Sequence, residues 1–135
     1  MKYSLFLAIA LVCLVLLFTP QKTNSIALEV DPYQLTTAQE VWLGALRWCE
    51  SRGNDLAVNK MDSDGTPSYG AYQFKPSTYS HFSKKYKLAS TTDYMNADQQ
   101  KYIVGRMLLD EDISDSNLRN SQFPGCIRKL GLPPR

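Results

Sequence analysis

The chain has 135 residues, enough for one small domain. Hydrophobic residues make up 44% and charged residues 21%, a balance that excludes a disordered tail and permits a packed core. The net charge of +2 comes from Lys2 and Lys22, and the balanced charge of the rest argues against a nucleic-acid partner, which wants a clustered basic footprint.

Leu5 to Phe18 is an unbroken apolar run of 14 residues behind a single positive charge, and Thr19-Pro20 ends it. A membrane-spanning helix needs about 20 apolar residues, whereas the apolar part of a secretory leader runs to about 7–15. Residues 1–27 therefore read as a signal peptide, with small residues at Ser25 and Ala27 for cleavage after Ala27; a retained membrane anchor is the alternative. The mature chain is expected to be secreted or to lie in the cell envelope, without stable membrane association, as a monomer. Cys13 leaves with the leader, and the residues before it, Leu11-Val12, do not suit lipid attachment. Cys49 and Cys126 remain and can form one bridge in an oxidising location, the alternative being two buried thiols.

Residues 28–37 read as an N-terminal extension and 38–135 as the functional domain. Thr37-Ala38-Gln39-Glu40 has the form of a capping box, and Trp42, Ala45, Leu46 and Cys49 recur at helical spacing. A first helix is expected over Ala38 to Arg52, with Gly53 as its left-handed stop. Asn54 to Tyr69 is rich in turn formers and reads as a loop or small hairpin. Tyr69 to Phe74 suits a short strand, and Pro76 suits the first position of a second helix that carries Tyr79, Phe82 and Tyr86 on one side. Asn96 is placed to cap a third helix with the stripe Ile103, Val104, Met107 and Leu108. The acidic group at Asp110 opposes the helix dipole and predicts a stop before it. Asp115 to Leu130 reads as a short helical segment and turn. The class is mainly α, with a short loop or β-hairpin insertion beside a cleft.

His81 is the single histidine, so a two-histidine metal site is excluded and a serine-type triad loses support. A Cys49/His81 nucleophile pair conflicts with a Cys49 to Cys126 disulfide. Asp62, Asp64 and Gly65 match only a fragment of a calcium loop, without the later glutamate, and a turn explains them. No metal site is expected. Glu50 is different. It stands beside the apolar stripe and in the last turn of the first helix, where partial desolvation and the negative helix end both raise a carboxyl pKa. A carboxylic acid protonated near neutral pH is what donation to a glycosidic oxygen requires. The alternative is an ordinary solvated glutamate.

Cys49-Glu50-Ser51-Arg52-Gly53-Asn54, then Ala57-Val58-Asn59, Tyr69-Gly70-Ala71-Tyr72-Gln73-Phe74 and Ser77-Thr78-Tyr79 follow one another in the chain. This succession resembles the resuscitation-promoting factors and related lytic transglycosylases, which carry C-E-S-G-G-N, Y-G-G-L-Q-F and S-T-W elements in that order. Ala97-Asp98-Gln99-Gln100 is similar to the family's A-x-x-Q-Q helix, and Phe123-Pro124-Gly125-Cys126 to its W-P-x-C ending. The resemblance runs from about Val41 to Leu132 and includes the cysteine pair.

It implies an α+β lysozyme-like fold and cleavage of the β-1,4 bond between N-acetylmuramic acid and N-acetylglucosamine in peptidoglycan, with no cofactor. Glu50 falls on the family's catalytic glutamate and Gln73 on a substrate-contacting glutamine, while Tyr69 and Asn59 match groove positions. Core packing is the alternative for Tyr69, and loop capping for Asn59. Gly70 reads as backbone that approaches sugar or chain closely. Arg52 in place of glycine, Asp55 where the family often has tryptophan, and Tyr79 in place of the S-T-W tryptophan depart from the pattern. The loop Lys60 to Ser68 is longer than in the family and holds Asp62 and Asp64, either of which would serve as the second carboxylate of a lysozyme-type hydrolase; as turn residues they would not. A non-catalytic wall-binding module and a chitin-cleaving enzyme are the other readings.

Overall fold

The computed structural model describes residues 33–135 except Ser63 and 119–121; the expected signal peptide and residues 28–32 of the 28–37 extension lie outside the described residues. The described chain is mainly helical, with one two-stranded sheet and one disulfide, Cys49 to Cys126. Its elements in order are α1 (Thr37–Ser51), β1 (Val58–Asn59), β2 (Ser68–Tyr69), α2 (Pro76–Lys85), α3 (Ala97–Leu109), α4 (Asp115–Asn117) and α5 (Pro124–Leu130). Among the described residues no helix is long and apolar enough to cross a membrane.

The capping box of α1 lies one residue earlier than the sequence suggests. Thr36 accepts from the Gln39 amide at 3.2 Å, and the Thr36 amide donates to Gln39 Oε1 at 2.9 Å. The reason is chemical. The Gln39 amide group also donates through Nε2 to the Pro134 carbonyl at 3.2 Å and so can be buried, whereas the Glu40 carboxylate can only accept and faces outward to Lys101 at 2.8 Å. At the other end Arg52, with φ 57°, adopts the left-handed conformation ahead of Gly53, and its amide donates to the Trp48 carbonyl.

Trp42, Leu43 and Leu46 of α1 meet Ile103, Val104, Met107 and Leu108 of α3, with Tyr79 and Phe82 of α2 and Cys126 and Ile127 of α5 completing the core. Each wholly buried Leu contributes about 1.5–3 kcal/mol. α1 packs against both α3 and α5, and α2 packs against α3. The last residues run back over this core: Trp42 Nε1 donates to the Gly131 carbonyl at 3.3 Å, and Arg135 binds Asp115 and the carbonyls of Leu108 and Ile113.

β1 and β2 pair antiparallel, Val58 opposite Tyr69 and Asn59 opposite Ser68, which realises the hairpin reading of this stretch. Tyr69 to Phe74 is not a strand. The Tyr69 amide donates to Phe74 O and the Phe74 amide to Tyr69 O, both at 2.9 Å, so residues 70–73 make a tight reversal with Gly70 at φ 78° and Gln73 at φ 52°. A continuous strand fails because two residues of six are held left-handed. Pro76 opens α2 and Asn96 caps α3 through the Gln99 amide, as the sequence predicts. α3 ends at Leu109, and Asp110 turns away to accept from Lys85 and the Tyr86 hydroxyl.

Candidate active site

A cleft of about 290 Å³ opens between the end of α1, the hairpin, the start of α2 and α5. Glu50, Asn59, Asp62, Gln73, Lys75 and Lys129 supply its polar wall, and Phe74 and Phe123, packed edge to face at 6.0 Å, lie along its apolar side. Glu50 arrives there because it is the penultimate residue of α1, on the flank turned to the core. Cys49 beside it is bonded to Cys126, which itself lines the cleft. The disulfide thus ties the wall that carries Glu50 to the wall made by α5.

Burial raises the Glu50 pKa from 4.5 to about 7; the negative charge of Asp62 adds to the rise and Lys129 opposes it. The carboxyl is therefore poised to hold and release a proton near neutrality, the condition for general acid and base work.

The hairpin positions the opposite wall. Arg47 grips the Gly53 carbonyl at 2.7 Å and the Asp55 carboxylate at 2.6 Å, which fixes the chain as it leaves α1. Asn59 lines the cleft, and its Oδ1 accepts from the Met61 amide at 3.4 Å, so it also serves its own turn. Asp62 lines the cleft about 4.0 Å from Lys75 Nζ. Asp64 does not line it. Its carboxylate accepts from the Thr66 amide and hydroxyl and from Lys75, and these bonds hold it well below the usual carboxylate range. Of the two aspartates, only Asp62 shares the cleft with Glu50.

Gln73 lines the cleft, but its amide is largely engaged by the chain. Nε2 donates to Gly70 O at 2.8 Å and Ala57 O at 3.3 Å, and Oε1 accepts from Ser68 Oγ at 3.0 Å. One acceptor position of Oε1 is left open, since a primary amide offers two donors and two lone pairs. Tyr69 and Gly70 are outside the cleft lining. The Tyr69 ring packs against Tyr94 at 4.8 Å, and Gly70 faces the Gln100 side chain, so its close approach is to the protein's own chain. His81 is exposed on α2, edge-on to Phe82 at 4.9 Å, and takes no part. Among the described residues no three His, Cys, Asp or Glu side chains gather as a metal site.

Lys75, Gln122 and Lys129 line the cleft and belong to none of the sequence motifs, while Thr78 lines it from the Ser77-Thr78-Tyr79 element. For Lys129 the signal was nevertheless present. It follows Cys126 by one helical turn, and the disulfide places that face beside Glu50. No family model, curated protein or solved structure matches the chain.

Proposed function

We propose that this protein is a peptidoglycan-cleaving glycosidase of lysozyme-like fold, acting outside the cytoplasm, with Glu50 as its general acid and base. The observation that carries the reading is the placement of the partly buried Glu50 carboxyl in a cleft walled by amide, hydroxyl and charged side chains, where burial raises its pKa to about 7. Protonated Glu50 donates to the glycosidic oxygen as the bond from that oxygen to the muramyl anomeric carbon breaks, and N-acetylglucosamine departs as the alcohol. The resulting carboxylate then takes the proton of the muramyl 6-hydroxyl as that oxygen closes on the anomeric carbon. The product is a 1,6-anhydro end, no water is consumed, and Glu50 regains its proton.

Asp62 favours a second reading, hydrolysis. It lines the same cleft, and its charge is felt at Glu50. In that case water attacks the anomeric carbon and Asp62 takes its proton or orients it. The two readings separate with Asp62→Asn. Transglycosylation survives this change with its alkaline limit moved to lower pH, because a charge that raises the Glu50 pKa is gone; hydrolysis falls by about a hundredfold or more.

The test of the shared claim is release of soluble fragments from purified peptidoglycan by the oxidised protein and its Glu50→Gln variant. Release by the parent and none by the variant is expected. Equal release by both removes Glu50 from the chemistry, and sedimentation with the wall without any release leaves a wall-binding module.

A further inference from the structure

The cleft holds two carboxyl groups and two ammonium groups, and their pairing is uneven. Lys75 is engaged by Asp64 and lies 4.0 Å from Asp62, so its charge is answered within the hairpin. Lys129, in the last turn of α5, makes no ion pair or hydrogen bond among the described residues, and its side chain reaches the cleft from an exposed position. Its positive charge is felt at Glu50, whose pKa it lowers. In the form that donates a proton, however, Glu50 is neutral, and the positive charge of Lys129 then faces the cleft without that partner.

We propose that Lys129 is an anion subsite of this cleft, which receives a carboxylate on the lactyl or peptidyl substituent of an acidic glycan and so selects such glycans over neutral N-acetylglucosamine polymers. The inference rests on the glycosidase reading and names the feature of the substrate that the cleft discriminates. A neutral chitin-type strand offers Lys129 only hydroxyl and amide oxygens, whereas a muramyl residue brings a carboxylate that forms a charge-assisted hydrogen bond. The subsite has a fixed address. Cys126, one turn before Lys129, is bonded to Cys49, next to Glu50, so the backbones that carry the lysine and the acid are held together.

The experiment is a calorimetric titration of the Glu50→Gln protein, which mimics the neutral acid and does not turn over. The probes are a tetrasaccharide of alternating N-acetylglucosamine and N-acetylmuramic acid with free lactyl carboxylates, and the neutral tetrasaccharide of N-acetylglucosamine. The acidic probe is expected to bind about two- to fivefold more tightly, an advantage typical of a partly exposed charge pair. Adding Lys129→Gln should abolish the advantage, Lys129→Arg should keep it, and salt should erode it. If both glycans bind but Lys129→Gln leaves their ratio unchanged, the subsite is wrong and the glycosidase reading stands. If neither glycan binds the folded protein, that reading falls and takes the subsite with it.

Discussion

A Cβ atom on Gly70 would lie 2.3 Å from Nε2 of Gln100, so the reversal that follows β2 is docked directly on the side chain of an α3 residue. Gln100 is fully buried, accepts from the Tyr72 amide at 2.7 Å and donates to the carbonyls of Tyr69, at 2.9 Å, and Tyr94. One side chain therefore joins two loop segments, the 69–72 reversal and the stretch at Tyr94, to the helix. Gly70→Ala combines a left-handed φ with a steric clash and is expected to cost about 2–4 kcal/mol. Gln100→Ala, which strands buried backbone groups, should cost about 2–3 kcal/mol. Urea midpoints measure both, and losses below about 0.5 kcal/mol would show that the hairpin is held by other contacts.

The disulfide closes a loop of 77 residues. Constraint of the unfolded chain on this scale stabilises by about 4.5 kcal/mol, a large share of a small domain's net stability. The double change of Cys49 and Cys126 to Ser should lower the thermal midpoint steeply. It should also reduce cleavage at temperatures where the variant is still folded, because the Glu50 wall and the α5 wall are no longer tied. Full cleavage by a folded variant would mean that core packing alone sets the cleft.

The Glu50 proton links stability to pH. Its folded pKa of about 7 exceeds the ordinary 4.5, so between those values the folded state holds a proton that the unfolded state has released. Stability contributed by this group is present below about pH 4.5 and is lost as pH rises through 7, by up to about 3 kcal/mol. Glu50→Gln has no such loss. It should match the parent in denaturant midpoint near pH 4 and exceed it near pH 8, and equal differences at the two pH values would contradict the raised pKa. Cleavage should decline above about pH 7 as the acid ionises.

Gln73 should behave as a positioning residue more than as a sugar contact. Its backbone is strained at φ 52°, and its amide joins Ser68, Ala57 and Gly70. Gln73→Gly relieves the backbone and removes the amide, whereas Gln73→Ala keeps the strain and removes the amide. If positioning dominates, both lower kcat about tenfold or more with little change in KM, and the Ala variant is the less stable by about 1 kcal/mol. A rise in KM alone would restore the role of direct substrate contact.

The helices were legible because their signals are local: Pro76 and Asn96 sit where caps belong, and the stripe from Ile103 to Leu108 has helical spacing. The α1 cap was misplaced by one residue because the choice between Gln39 and Glu40 is settled by burial against Pro134, 95 positions away. The 69–74 stretch misled for a related reason. Its apolar composition suits a strand, but Gly70 and Gln73 turn left-handed to meet Gln100 and Ala57, which no local pattern announces. At the site, Glu50 was legible from its place on the helix, and the separation of Asp62 from Asp64 was not, since it depends on Lys75 drawing Asp64 into the turn.

The central claim is tested most directly by mass spectrometry of the soluble fragments that the oxidised protein releases from peptidoglycan, beside the Glu50→Gln variant. The account predicts muropeptides ending in 1,6-anhydro-muramic acid from the parent and none from the variant. Reducing ends with an added water would move the mechanism to Asp62-assisted hydrolysis. Absence of any fragment from the folded parent would contradict the account.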